Sequence, residues 1–209
     1  MKFPPSLNVA TVVSRGVCAG ALLAATLFAG CNVLPEAQPD TTRHYVLEAR
    51  VDRTGELPID ASRIGLRPVE VPAYLRQKTI VVRSGENELS YARDARWAEP
   101  LEAGITRVLR EHLAAEAQVV SYPFPVQMAR DYDLTVRVLN AEGRRGGVQF
   151  VAVFELVRVG DEPEVVVRKE FRAAGSDWNG DYGRLAAELS AAVAGLAQEI
   201  LSAVPARTK

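Results

Sequence analysis

Three consecutive stretches decide the fold: Asp133-Leu-Thr-Val-Arg-Val-Leu139, then Gly146-Gly147, then Val148-Gln-Phe-Val-Ala-Val-Phe-Glu-Leu-Val-Arg-Val159. In the first, Leu134, Val136 and Val138 recur at every second residue, the period of a strand with one buried face. The glycine pair marks a turn. In the last, Val148, Phe150, Ala152, Phe154 and Leu156 share one face, while Val151, Val153, Val157 and Val159 populate the other. A strand apolar on both faces is central in its sheet, or has one face covered by a partner. Residues 164–173 complete an antiparallel meander. Arg144 and Arg145, set between glycines, read as a solvated hairpin tip rather than an anion site.

Downstream, residues 181–204 carry Leu185, Leu189, Ala192, Val193, Leu196, Ile200 and Val204 at helical spacing, with alanine on much of the remaining surface. This reads as a C-terminal helix docked on the sheet, with an oligomer-contact helix as the alternative. Upstream, strands are expected at 43–49, 64–71 and 79–83. A further strand at 88–92 is joined to the preceding one by a turn at Gly85-Glu-Asn. Pro72 stops the second strand, since proline has no N–H for the ladder. Pro100 opens a helix on which Leu101, Ile105, Val108, Leu109 and Leu113 share a face. A short strand at 118–121 and an extended Tyr-Pro-Phe-Pro loop at 122–125 follow. The expected fold is α+β: one domain over 43–205, with a mixed, largely antiparallel sheet and two main amphipathic helices packed on it.

The 209 residues are 48% hydrophobic and 24% charged, with net charge −1 and pI ≈ 6.2. That balance is globular and gives no sign of a nucleic-acid partner. Motifs of chemistry are missing. No Walker A loop, dinucleotide fingerprint or G-x-S-x-G elbow occurs. His44 and His112 stand far apart with no Cys-x-x-Cys nearby, so neither a metal nor any other cofactor is expected. His112 fits the packed face of its helix. A serine paired with either histidine in a lipid-anchored hydrolase ranks lowest among the readings.

The N-terminus reads as an address. Lys2 and Arg15 are the only charges before Cys31. The uncharged run from Gly16 to Gly30 is about 22 Å long as a helix at ~1.5 Å per residue. A bilayer core of ~30 Å asks for roughly 20 residues, so the run suits a secretory leader better than a span. It ends in Leu27-Phe28-Ala29-Gly30-Cys31, which resembles a bacterial lipobox, with cleavage after Gly30 and a covalent lipid on Cys31. Residues 1–30 are then signal peptide, and 31–42 are the lipidated cysteine with a short tether. Cys18 leaves with the leader, so no intrachain disulfide is possible. Lys2 and Arg15 leave too, so the net charge moves from −1 to −3. Asn32, rather than an aspartate after the cysteine, suggests sorting to the outer membrane.

Several words in the chain belong together. They are Val69-Glu-Val-Pro-Ala-Tyr-Leu-Arg-Gln77, Ile80-Val-Val-Arg83, and Trp97-Ala-Glu-Pro-Leu101 with Ile105 and Leu109. Tyr45-Val-Leu47 and Asp181-Tyr182 extend the set. With them the chain resembles the ABC-type transport auxiliary lipoproteins, the group typified by paraquat-inducible protein C, over nearly all of the mature sequence. The resemblance implies an α/β fold and a non-enzymatic accessory role in an MCE-type (mammalian cell entry) lipid transport system. It further implies an outer-membrane lipoprotein on the periplasmic side, assembled as a homo-oligomeric ring. The implied partners are an MCE-domain periplasmic protein and its inner-membrane transporter. A lipid carrier with an apolar groove between helix and sheet is the alternative. Tyr74, Leu75 and Trp97 are candidate partner-interface residues. Their structural alternative is that Tyr74 and Leu75 seal a sheet edge while Trp97 staples the helix start.

Overall fold

The computed structural model describes residues 39–51, 57, 61–173 and 178–205, and the fold lies in the unit that begins at Thr41. In the described residues one eight-stranded sheet holds β1 (Arg43–Tyr45), β2 (Arg63–Leu66), β3 (Thr79–Arg83), β4 (Leu89–Trp97), β5 (Gln118–Ser121), β6 (Tyr132–Arg144), β7 (Gly147–Arg158) and β8 (Glu164–Arg172). Two α-helices accompany it, α1 (Leu101–Leu113) and α2 (Tyr182–Ala203), with a 3-10 turn at Ala73–Leu75. The fold is α+β, and the long ladders are antiparallel: β6 with β7, and β7 with β8. Shorter parallel pairings tie β1 to β4, β2 to β5, and both β2 and β3 to β6.

The two-faced valine pattern of β7 reflects its central place between β6 and β8. Leu134, Val136, Val138, Ala152, Phe154 and Leu156 are fully buried on the helix side. On the opposite side Val151 is also buried, while Val153 and Val157 are half-buried. Helix α1 contributes Leu101, Ile105, Val108, Leu109 and Leu113 to the core, and α2 contributes Leu185, Leu189, Val193, Leu196 and Ile200. Each such side chain contributes about 1.5–3 kcal/mol when removed from water. By length and composition α2 is apolar enough to cross a membrane, yet half of that stretch is buried in the domain, as in a core helix.

Four strands end elsewhere than their sequence suggests, and the first is β6, which runs past Leu139 to Arg144 across a register shift between Val138 and Asn140. β4 runs on to Trp97, because an irregularity opposite Thr79 and Val81 breaks period two and hides the continuation. Its inward residues, Ala92, Ala95 and Trp97, are consequently unevenly spaced. β1 stops at Tyr45, and the chain leaves the sheet to lie along the helices. There the Glu48 amide donates to Ser190 Oγ, and Arg107 donates to the Leu47 carbonyl. β2 stops at Leu66, just before Pro68. Its continuation still tracks β6 through Arg67 N to Leu134 O and Glu70 N to Val136 O. The Val69 amide turns instead to Thr106 Oγ1 on α1.

β6 is the spine of the sheet. One edge is paired along its whole length by β7. The other edge is shared: β2 and its continuation take the first half, and β3 takes the end at Gly143 and Arg144. Between them the sheet forks.

Candidate functional site

The proposed cleavage and lipidation residues, Gly30 and Cys31, lie outside the described residues. The candidate interface residues Tyr74, Leu75 and Trp97 lie within them.

Val-Pro-Ala-Tyr-Leu sits in the fork. Pro72 ends the run along β6, and the 3-10 turn closes with Leu75 N donating to Pro72 O. Leu75 drops into the core at 2% exposure, while Tyr74 is half-buried over the unshared stretch of β6. The Tyr74 hydroxyl reaches Glu142, the one buried charged residue in the described core. The Glu142 carboxylate accepts from Tyr74 Oη at 2.9 Å, Arg83 Nε at 2.9 Å, Asn140 Nδ2 at 3.1 Å and the Ala141 amide at 3.1 Å. A second guanidinium nitrogen of Arg83 lies 2.8 Å away. A buried carboxylate with fewer partners would be strongly destabilising; here its desolvation is offset donor by donor. Burial, then the hydrogen bond to Glu142 and its negative charge, push the Tyr74 hydroxyl up to about 12.

Glu142, Arg83 and Asn140 were not legible as a cluster. A register shift between Val138 and Asn140 lies just before them in β6, so no simple alternation flags Glu142 as buried.

Trp97 is buried at 4% exposure, with its amide donating to Lys78 O at 2.6 Å. Its side chain packs in the same core as Leu101. With Leu75 and Trp97 inside the core, the outer edge of Tyr74 is the part of this trio that reaches solvent. A second aromatic seam was unanticipated: Trp178, Tyr182 and Tyr45 stand in a row, with ring centroids 6.1 and 6.3 Å apart. It closes the start of α2, where Asp181 Oδ1 accepts from the Gly183 amide at 2.8 Å and the Arg184 amide at 3.3 Å. Trp178 lies on Gly143, where a Cβ would stand 2.7 Å from the indole.

A cleft of about 550 Å³ runs between α2 and the chain from β1 onward. Alanines of α2 (Ala186, Ala187, Ala191 and Ala194) form one wall, and Tyr45 and Val46 form the other. His44, Glu48, Arg50, His112 and Ser190 supply polar groups. Thus the fold brings both histidines to one groove. Burial lowers the pKa of His112, opposed by the nearby Glu111 charge. Among the described residues no group of three or more His, Cys, Asp or Glu side chains is placed to hold a metal ion.

Comparison with known proteins agrees with this architecture. An uncharacterized protein of known crystal structure is 20% identical, with TM-score 0.61, over 77% of this chain and 97% of its own. Protein XCC0632 from Xanthomonas campestris is 17% identical, with TM-score 0.62, over 76% of this chain and 92% of its own. At these identities the likeness shows the fold alone. No curated protein matches the chain in sequence. The family model for the ABC-type transport auxiliary lipoprotein component matches residues 45–201, from the strand that opens the sheet to the helix that closes it. The chain therefore belongs to the ABC-type transport auxiliary lipoprotein family.

Proposed function

We propose that this protein is a non-enzymatic accessory subunit of an MCE-type intermembrane lipid transport system. It is anchored to the periplasmic face of the outer membrane by lipid on Cys31, and it works as an oligomer that docks the periplasmic MCE-domain partner. The observation that carries this reading is the family match over 45–201, and the lipobox at residues 27–31 supports the anchor. Labelled palmitate should enter the wild-type chain and not Cys31→Ser; equal labelling of both would remove the anchor. The MCE-domain protein should co-purify with the full-length lipoprotein from outer-membrane fractions, and deletion should disturb outer-membrane lipid composition. Intact lipid composition together with no co-purification would overturn the assignment.

The alanine-walled groove favours a second reading, a carrier that shelters an acyl chain. Its size and its mix of apolar walls with a few polar groups fit a small-molecule site. Native mass spectrometry separates the two readings: a co-purifying lipid released by Ala191→Trp supports the carrier, and a lipid-free protein excludes it.

A further inference from the structure

The loop between β5 and β6 exposes apolar side chains on a stiff base. Val126 is 98% exposed, Met128 54% and Tyr122 52%. Single exposed apolar residues are ordinary, but several gathered on one loop mark an interaction site. The base is fixed at both ends: Tyr122 N donates to Leu66 O at 3.1 Å, and Asp131 N donates to Arg63 O at 2.8 Å. Pro123 and Pro125 hold their φ angles. The Arg130 guanidinium lies 4.3 Å from the centre of the Phe124 ring, and that of Arg67 lies 5.4 Å from Phe124 and 5.7 Å from Tyr122. Gly65 of β2 makes this close seat possible. A Cβ there would come within 2.8 Å of Arg130 and Asp133 and 3.0 Å of Phe124. A loop already held in shape loses little conformational entropy when it docks.

Two further observations identify the occupant. The first is charge. Arg63 pairs with Asp131, while Arg67 and Arg130 share Asp133, leaving one positive charge in surplus. The second is place. The loop joins β6 at Tyr132, whereas Arg43, where the tether enters, is level with Ala141 through the β1, β4, β3 and β6 registers. That separation along β6 is about 30 Å at ~3.3 Å per residue. The apolar tip therefore sits at the opposite end of the sheet from the start of β1 at Arg43.

We infer that residues 122–130 dock the extracytoplasmic protein subunit of the transporter, in an apolar cup with an acidic rim. This rests on the accessory-subunit reading. Tyr, Met and Arg are the residue types enriched at such interfaces. The test places a photo-crosslinking phenylalanine analogue at position 126 of the full-length protein in cells, with position 165 as control, since Val165 is 52% exposed on β8. An adduct with the MCE-domain subunit from 126 and not from 165 is expected. An adduct from 126 with a second copy of this chain, or with phospholipid, overturns the assignment. In purified form, Val126→Asp combined with Met128→Asp should weaken binding to that subunit by about tenfold or more, with unchanged circular dichroism and melting. Equal binding by variant and wild type sinks the loop assignment alone. Failure of the wild type to bind sinks the accessory reading, and the loop assignment with it.

Discussion

Tyr74 Oη donates a 2.9 Å hydrogen bond to Glu142 Oε2 across 68 residues of sequence. That bond bridges the fork in the sheet, tying the 3-10 turn to β6 where only β7 pairs with it and the other edge is left open between β2 and β3. A hydrogen bond to a charged acceptor contributes about 1.5–3 kcal/mol. Tyr74→Phe should therefore lower stability by about 2 kcal/mol in urea unfolding. Absorbance titration of the tyrosines should show one ionising near 12 that vanishes in the variant. The raised value means that the folded state keeps a proton the unfolded chain has lost. The stability it provides is thus present below pH ~10 and disappears as pH rises toward 12.

Glu142→Ala removes the acceptor and leaves Arg83, whose side chain is 24% exposed, without its buried partner. The expected loss is about 3 kcal/mol, the low end for a broken buried pair, because Arg83 reaches water. Combined with Tyr74→Phe, the loss should fall short of the sum of the two. Strict additivity in denaturant melts would show that the two residues do not act together.

Gly143→Ala should destabilise by about 1–3 kcal/mol, because its methyl group would overlap Trp178. Trp178→Leu in the same chain should recover part of that loss, measured as a rise in Tm. No recovery would place the strain elsewhere.

Burial favours the neutral form of His112, so its folded pKa lies below that of the unfolded chain. The unfolded state then binds the proton more readily, and stability falls as pH drops below ~6.5. His112→Gln should flatten the dependence of Tm on pH between 7 and 5; an unchanged slope would assign it to another group.

Asp181→Ala takes away the side-chain acceptor for two amides at the start of α2. A loss of about 1 kcal/mol is expected, with Asp181→Asn nearly neutral in the same melt.

Much of the architecture was legible because it is local. The hairpin of β6 and β7 announces itself through Leu134, Val136 and Val138 facing Leu156, Phe154 and Ala152. Both helices carry their buried faces at spacings of three and four. What escaped depends on partners far apart in sequence. Nothing near Arg63 shows that β2 will lie between β5 and β6. Nothing near Glu142 shows that Tyr74 and Arg83 will meet it. The loss of period two in β4 hid its last residues, Trp97 among them. Of the candidate site, the Pro-Ala-Tyr-Leu turn was readable as a strand end, but the carboxylate beneath it was not.

The position of α2 in the chain has a consequence for biosynthesis. Leu185, Leu189, Val193, Leu196 and Ile200 are all fully buried or nearly so, and they belong to the last element of the described fold. Until that segment leaves the ribosome, Phe150, Phe154 and Leu156 have no helix to cover them. The domain therefore finishes folding only once α2 has emerged, since domains fold as units.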